Sequence, residues 1–222
     1  MHLMVASELI SPEIPSLRMQ DTLQQALEWM QEHHVSALPL CRDDRFVGMV
    51  LESDLLDAPD ERATLESIAV HAEKVSVNSN VFFLSALQHM QQRMLSTLAV
   101  TGEEDVYIGV ITQFTMLDAL AKYNAASEPG GVIVLQMRPI DFTISEIGRI
   151  VETNDARIMH MNTWTDETGN LLVAIKVNKT DILDVLASFE RYEYHVLQYF
   201  GENLSEEALK TNYDHLMNYL NI

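Results

Sequence analysis

Two short stretches of the chain carry side chains that could hold a phosphorylated sugar. They are GMVLESD, from Gly48 to Asp54, and GVITQFT, from Gly109 to Thr115, and each begins with a glycine in an apolar run. A carboxylate such as that of Asp54 can accept hydrogen bonds from two neighbouring sugar hydroxyls. A hydroxyl such as that of Thr112, at a strand end beside a helix N-terminus, can donate to a phosphate that the helix dipole also attracts.

The two stretches occupy equivalent positions of an internal repeat. Residues 22–40 (TLQQALEWMQEHHVSALPL) and 82–100 (FFLSALQHMQQRMLSTLAV) align at an offset of sixty positions. Residues that recur at this offset include Ser16, Ala26, Leu27, Met30, Gln31, Ser36 and Leu38, which correspond to Ser76, Ala86, Leu87, Met90, Gln91, Ser96 and Leu98. One inserted residue then brings Gly48 onto Gly109.

Each repeat is predicted to contain a strand, a helix, two strands and a second helix. In the first repeat, the apolar residues from Leu23 to Met30 recur at helical spacing. Residues 35–40 and 46–51 form a predicted hairpin around RDDR, and Ser53 or Asp54 is predicted to cap the second helix. The second repeat is predicted to have a helix over 84–93, strands over 95–100 and 107–111, and a helix from about Phe114.

This order and these motifs resemble a tandem pair of CBS domains, with repeats at about 5–60 and 65–122 within residues 1–122. The signature of that family is a glycine, two apolar residues, Thr or Ser, two variable residues and Asp. The resemblance implies two clefts that often hold AMP, ATP or S-adenosylmethionine. The ligand-binding residues that it implies are Ser16, Gly48, Asp54, Ser76, Gly109, Thr112 and Thr115.

Each repeat departs from the signature at a different position. The first has Leu51 where the family has a hydroxyl, and the second has Thr115 where the family has the acid. A hydrogen bond to a charged group contributes roughly 1.5–3 kcal/mol, so each cleft is expected to bind about ten- to a hundredfold more weakly than a complete one. In the alternative interpretation, Asp54 is only a helix cap and Thr112 only a β-branched strand residue.

The second half of the chain has a different pattern. Residues 123–131 are predicted to form a turn-rich linker. Residues 132–202 are predicted to fold in the order strand, helix, strand, strand, helix, strand, which is the ferredoxin-like order. This part resembles an ACT domain, which implies a possible amino-acid site at Asp141, Thr143 and Ile144. Thr143 and Glu146 match a capping box. The stretch PIDFTIS lacks the glycine common at this turn, so the domain could instead serve dimerisation only.

A final amphipathic helix is predicted over residues 203–222. Its apolar positions at helical spacing are Leu209, Tyr213, Leu216, Met217 and Leu220, with Ser205 as the predicted cap. The combination of a CBS pair with an ACT-like domain resembles the architecture of acetoin-utilisation proteins, which by itself assigns no biochemical role.

Composition excludes several classes of function. The net charge is −19, from 33 acidic and 14 basic residues, which disfavours binding to nucleic acid or to an anionic membrane. No apolar run approaches the roughly 20 residues that span a bilayer. The single cysteine, Cys41, indicates a reducing compartment, so we expect a cytoplasmic protein. The eight histidines show no metal-ligand spacing, and we find no nucleophile paired with a base.

The sequence therefore predicts a non-catalytic regulatory protein of the α/β (α+β) class. It is expected to form a homodimer, to need no cofactor or metal, and to bind an adenosyl compound as a regulatory ligand whose signal passes to an unidentified protein partner. Because the first half is acidic, an uncharged, zwitterionic or cationic adenosyl compound suits it better than a polyphosphate. The alternatives are a ligand-free dimeric scaffold and an amino-acid sensor acting through the ACT-like domain.

Overall fold

The computed structural model describes residues 4–58, 62–67 and 72–201. The helix predicted over residues 203–222 lies outside the described residues. The chain divides into two compact units, Met1–Ala121 and Lys122–Ile222. Each unit contains both helices and strands, so the predicted α/β class is confirmed.

The first unit repeats one order of elements twice. It opens with a short 3-10 helix (Ala6–Leu9) and β1 (Ile10–Ser11). The first repeat contains β2 (Leu17–Arg18), α1 (Leu23–Glu32), β3 (Ala37–Arg42), β4 (Arg45–Leu51) and α2 (Glu52–Leu56). The second contains β5 (Ser76–Asn78), α3 (Phe83–Arg93), β6 (Thr97–Thr101), β7 (Tyr107–Thr112) and α4 (Gln113–Tyr123). The predicted order of strand, helix, strand, strand, helix is confirmed in both repeats.

The first helix of each repeat buries one apolar stripe. In α1 the buried residues include Leu23 and Met30, and the Thr22 hydroxyl caps the helix by accepting the N–H of Gln25 at 3.2 Å. The equivalent helix α3 buries Phe83, Ala86 and Met90. These positions follow the i, i+3, i+7 spacing that a helix needs to face a sheet on one side.

Each repeat receives its leading segment from the other part of the unit. The Ala6 N–H donates to the Val81 carbonyl at 2.9 Å, and β1 pairs antiparallel with β7 of the second repeat. The segment before the second repeat returns to the first, where the Leu65 N–H donates to the Asp21 carbonyl at 2.9 Å. This exchange ties the two repeats into one folded unit.

The repeats meet around an approximate two-fold axis between β3 and β6. The Ser36 N–H donates to Ser96 Oγ at 2.8 Å, and the two serine hydroxyls lie 3.1 Å apart. Beside them, the buried Thr97 hydroxyl donates to the Ala37 carbonyl at 2.6 Å. Both contacts join residues sixty positions apart, so the sequence repeat corresponds to a structural two-fold.

The second unit has the predicted ferredoxin-like order. Its elements are β8 (Val132–Met137), α5 (Ile144–Glu152), β9 (Ile158–Thr165), β10 (Leu171–Val177), α6 (Leu183–Arg191) and β11 (His195–Phe200). The strands form one antiparallel sheet in the order β11-β8-β10-β9. Both helices pack on one face of this sheet around Ile133, Leu135, Ile175 and Phe189, all of them fully buried.

The predicted cap of α2 is wrong. The helix begins at Glu52, with Leu51 in the capping position, and no side chain accepts a hydrogen bond there. The reason is that β4 runs directly into α2, so Ser53 and Asp54 already lie within the first helical turn. The predicted hairpin is present, but its turn is shorter than expected: β3 ends at Arg42 and β4 begins at Arg45, with Asp43 in a left-handed conformation (φ 53°) between them.

The contact across the two-fold axis yields a stability prediction. Thr97→Val keeps the shape of the side chain and removes the buried donor to the Ala37 carbonyl. We expect the free energy of unfolding of the first unit to fall by about 1 kcal/mol, the usual worth of a buried hydrogen bond. Urea denaturation monitored by circular dichroism measures this change. Thr163→Val, at an exposed position of β9, is the matched control, and an equal effect from both variants would contradict the prediction.

Candidate functional site

The two motif glycines allow close packing of the exchanged segments. A Cβ added to Gly48 would lie 2.7 Å from the Ala72 Cβ, and one added to Gly109 would overlap the side chain of Ile10. Ile10 belongs to β1, which pairs with β7 at this point. Both glycines therefore have a structural role that involves no ligand, a role that the motif alone did not reveal.

Asp54 lies in the first turn of α2, near the N-terminus of the helix, and is partly exposed. It occupies the acid position of the signature, which the first motif keeps. Leu51, where the family has a hydroxyl, is half-buried and packs against the core cluster that includes Phe46 and Met49. The first repeat thus combines an accessible carboxylate with an apolar neighbour, an arrangement better suited to a sugar hydroxyl than to a phosphate.

Thr112 and Thr115 form a reciprocal cap at the start of α4. Thr112 Oγ1 accepts the N–H of Thr115 at 3.1 Å, and Thr115 Oγ1 accepts the N–H of Thr112 at 3.0 Å. The Thr115 hydroxyl also donates to the Thr112 carbonyl at 3.1 Å. This is the geometry of a capping box, with threonine in place of the usual Glu or Gln. Since Thr112 is also buried, its hydroxyl serves the helix rather than an open surface.

The two predicted serines point toward equivalent residues of their own repeats. Ser76 Oγ lies 3.3 Å from Thr101 Oγ1. Ser16 forms a hydrogen bond with Cys41, the residue equivalent to Thr101. Burial raises the pKa of the Cys41 thiol to about 11, the hydrogen bond from Ser16 lowers it, and the charge of Asp44 raises it. The thiol is therefore neutral at physiological pH, which agrees with a core residue and not a nucleophile.

Two grooves that the motifs did not predict lie on the helices of the first unit. One, of about 780 Å³, is lined by residues of α1 and α2 together with Ser36, Ser96 and Gln113. The other, of about 450 Å³, lies between α3 and α4 and is mostly apolar. None of the seven predicted binding residues lines either groove. Each groove is lined both by buried apolar residues, such as Met30 and Met90, and by exposed ones, such as Leu56 and Leu117.

In the second unit, Asp141 already has a partner. Arg138 Nε donates to Asp141 Oδ2 at 2.6 Å, and a second guanidinium nitrogen donates to Oδ1 at 2.9 Å. Hydrogen bonding from Arg138 lowers the pKa of Asp141 and raises that of Arg138. The carboxylate of the predicted amino-acid site is thus neutralised by a neighbouring residue of its own turn.

The other two residues of that predicted site lie close by in sequence and are exposed. Thr143 occupies the capping position of α5, but its side chain accepts no hydrogen bond there, so the predicted capping box is wrong. Glu146 accepts instead from the Tyr194 hydroxyl at 3.0 Å, which draws it away from the cap. Ile144 is 62% exposed.

Within residues 4–58, 62–67 and 72–201, no group of three or more His, Cys, Asp or Glu side chains is arranged to hold a metal ion. None of the helices in this described part is both long and apolar enough to cross a membrane.

Comparison with known proteins identifies the first repeat. Residues 6–61 match the family model of the CBS domain, which confirms the resemblance for this part of the chain. Similar solved structures include a CBS domain pair/ACT domain protein from Thermotoga maritima, with 21% identity over 54% of this chain and 98% of that chain and a TM-score of 0.49. The CBS domains of a transcriptional regulator from Streptococcus pneumoniae show 19% identity over 53% and 99%, with a TM-score of 0.46.

A third similar structure is the CBS domain of a bacterial CNNM/CorC family Mg²⁺ transporter in complex with ATP. It shows 25% identity over 53% of this chain and 87% of that chain, with a TM-score of 0.43. These matches each cover about half of the chain. The ACT-like resemblance of the second unit and the acetoin-utilisation architecture stay predictions.

The close packing of Ile10 against Gly109 leads to a stability prediction, for which Gly148 provides the control. Gly109→Ala places a methyl group against Ile10, and we expect the free energy of unfolding to fall by about 1–3 kcal/mol, as for overpacked cores. Gly148→Ala lies within α5, where no atom stands within 4 Å of the added Cβ, and should stabilise by about 0.5–1 kcal/mol. Chemical denaturation measures both changes, and an unchanged stability in Gly109→Ala would refute the packing role of this glycine.

Proposed function

We propose that this chain is a non-catalytic regulatory protein that binds an adenosyl compound in a cleft between the two repeats. As a homodimer, it passes the binding signal to a protein partner. The observation that carries the proposal is Asp54: a partly exposed carboxylate in the first turn of α2, at the acid position of the signature, in the repeat that matches the CBS domain family.

The motif residues favour one class of adenosyl compound. Leu51 offers no donor to a phosphate, and the Thr112 hydroxyl is bound within its own helix cap. The chain up to Lys122 carries 18 acidic and 7 basic residues, which opposes an anionic ligand. An adenosyl compound with an uncharged or cationic 5′ group, such as S-adenosylmethionine, therefore fits better than AMP or ATP.

Binding would act through the packing of the two repeats. The N-termini of α2 and α4 follow directly from β4 and β7, the strands next to the two-fold contact, so a ligand at Asp54 would bias the angle between the repeats. A ligand shifts such an equilibrium only by its difference in affinity for the two arrangements. The end of α4 and the segment after it belong to the second unit, where Tyr123 packs edge-on against His160 and Lys176 donates to the Ala125 carbonyl.

A ligand-free scaffold is the second candidate function. It is favoured by the hydrogen bonds that already satisfy Thr112 and Thr115, and by the packing role of both motif glycines. An amino-acid sensor is less well supported, because Arg138 occupies the carboxylate of Asp141.

Thermal unfolding with added ligands separates the first two functions. S-adenosylmethionine at a hundred times its Kd should add about 2.7 kcal/mol of stability, which is several degrees in Tm. Asp54→Ala should abolish this shift, since the ribose hydroxyls lose their acceptor. Asp57→Ala, an exposed acid at the end of the same helix, is the matched control and should keep it.

AMP, ATP with magnesium, and the twenty amino acids complete the panel. A shift that survives in Asp54→Ala would refute the proposed site. Silence across the whole panel would favour the scaffold.

A further inference from the structure

The sheet of the second unit has a second face, opposite the one on which α5 and α6 pack. The helices cover the face that carries Ile133, Leu135, Val173 and Ile175. Successive side chains of a strand point to opposite faces of a sheet, so every other residue of each strand belongs to the second face. We call this surface of the strands β11, β8, β10 and β9 the outer face.

Apolar residues cross the outer face along a diagonal. Three registered pairs form it, each shifted from the one before by one strand toward β9 and by two residues along the sheet. The pairs, in this order, are Phe200 with Val132, Val134 with Ala174, and Leu172 with Trp164. Together they make one continuous stripe from the end of β11 to the end of β9, which we call the apolar diagonal.

The apolar diagonal is open at both of its ends. Phe200 is 52% exposed and Trp164 is 43% exposed. Between them, Val132, Leu172 and Ala174 are half-buried. The solvated face of an antiparallel sheet normally carries polar side chains, so a contiguous apolar stripe on it marks a surface against which another element packs.

The outer face is polar on both sides of the apolar diagonal. One side carries His160, Asn162 and Lys176, and the other carries Gln136, His195 and Gln198, none of which is acidic.

The chain itself covers one corner of the outer face. Tyr123 packs edge-on against His160, and Lys176 donates to the Ala125 carbonyl, so the segment before β8 lies over this corner. Near the corner beside Trp164, Asp166 accepts a hydrogen bond from Gln136 Nε2 at 2.9 Å. These contacts occupy polar positions of the outer face and lie to either side of the apolar diagonal.

We propose that the helix predicted over residues 203–222 packs along the apolar diagonal of its own chain. It runs from the Phe200 end toward the Trp164 end, and the sheet then carries helices on both faces. The apolar positions of this helix that contact the diagonal are Leu209, Tyr213, Leu216, Met217 and Leu220. The inference goes beyond the proposed function and does not depend on it, because both partners belong to the second unit.

The dimensions of the two stripes agree. From Phe200 to Trp164 the diagonal crosses three strand spacings and about four residues, which amounts to about 20 Å. Leu209 and Leu220 are eleven residues apart, which is about 17 Å along a helix.

The chain also leaves the sheet at the correct place. Because β11 ends at Phe200, residues 202–222 begin beside one end of the apolar diagonal. The four residues 201–204 can reach about 13 Å when extended, which is enough to cross the roughly 10 Å between packed layers.

Charge favours the same occupant. Residues 203–222 carry three acids, Glu206, Glu207 and Asp214, and one base, Lys210. The polar positions of the outer face include one lysine and two histidines and no acid, so the acids of the helix meet a surface of complementary charge.

The fluorescence of Trp164 tests the packing in the full-length chain. Trp29→Phe removes the other tryptophan, so that the emission reports on Trp164 alone. In this background, Leu216→Glu should raise the acrylamide quenching constant of Trp164 roughly twofold or more and shift its emission to the red, because the indole loses the helix that covers it. Asn218→Glu adds the same charge on the opposite side of the predicted helix and is the matched control. An unchanged signal in Leu216→Glu, or an equal change in both variants, would overturn the proposal.

Cross-linking within the chain tests the direction of the helix and needs no disruptive substitution. Asn162, exposed on β9 beside Trp164, is replaced by Cys together with either Leu220 or Ser205. A short bis-maleimide should join positions 162 and 220 within one chain and leave positions 162 and 205 unlinked, because Ser205 lies at the far end of the diagonal. The unaltered chain, whose single Cys41 is buried, is the control.

Three outcomes of the cross-linking experiment would overturn the proposal. Linkage of 162 to 205 alone would mean that the helix runs the other way. Linkage only between different chains would mean that it covers a second copy, and linkage of neither pair would mean that it lies elsewhere. None of these outcomes decides the ligand proposal, because the stabilisation by S-adenosylmethionine and its loss in Asp54→Ala are measured separately.

Discussion

The joint between β3 and β6 is the contact on which the rest of the first unit depends. It consists of the paired serines Ser36 and Ser96 and the buried bond from Thr97 to the Ala37 carbonyl. Because β4 and β7 are the hairpin partners of these strands, the joint also sets where α2 and α4 begin. The acid of the first motif and the threonine cap of the second are thus placed by one small polar contact.

Equivalent positions have acquired different physical roles around this joint. At the end of β4, Leu51 extends the apolar core and leaves α2 without a side-chain cap. At the end of β7, Thr112 and Thr115 instead cap α4. A hydroxyl that caps a helix is already paired, whereas the carboxylate of Asp54 is partly exposed. The first repeat therefore keeps the better candidate for ligand recognition.

Much of this could be predicted from the sequence, because repetition and periodicity are local signals. The two helices of each repeat, the hairpins and the ferredoxin-like order of the second unit follow from apolar spacing and turn residues. The exchange of leading segments does not, since Ile10 contacts Gly109 across the whole unit and nothing near either residue indicates the other. The same holds for the cap of α2, where direct continuation of a strand into a helix overrides the preference of Ser and Asp for capping positions.

The sequence could indicate where the candidate sites lie, but not whether their side chains are free to bind a ligand. The sequence identified Asp54 and Asp141 as exceptional acids, but whether an acid is available depends on its neighbours in space. Asp141 lies in a turn that brings Arg138 onto both of its oxygens. The motifs did not predict the grooves, because the motif residues lie at strand ends, whereas exposed apolar side chains such as Leu56 and Phe114 lie on the helices.

The most direct test of the account is isothermal titration calorimetry of the full chain with S-adenosylmethionine and with AMP, at low and at high salt. We expect S-adenosylmethionine to bind more tightly than AMP, and we expect this difference in affinity to narrow at high salt because the field of the acidic residues is screened. Tighter binding of AMP, or no heat of binding from either compound, would contradict it.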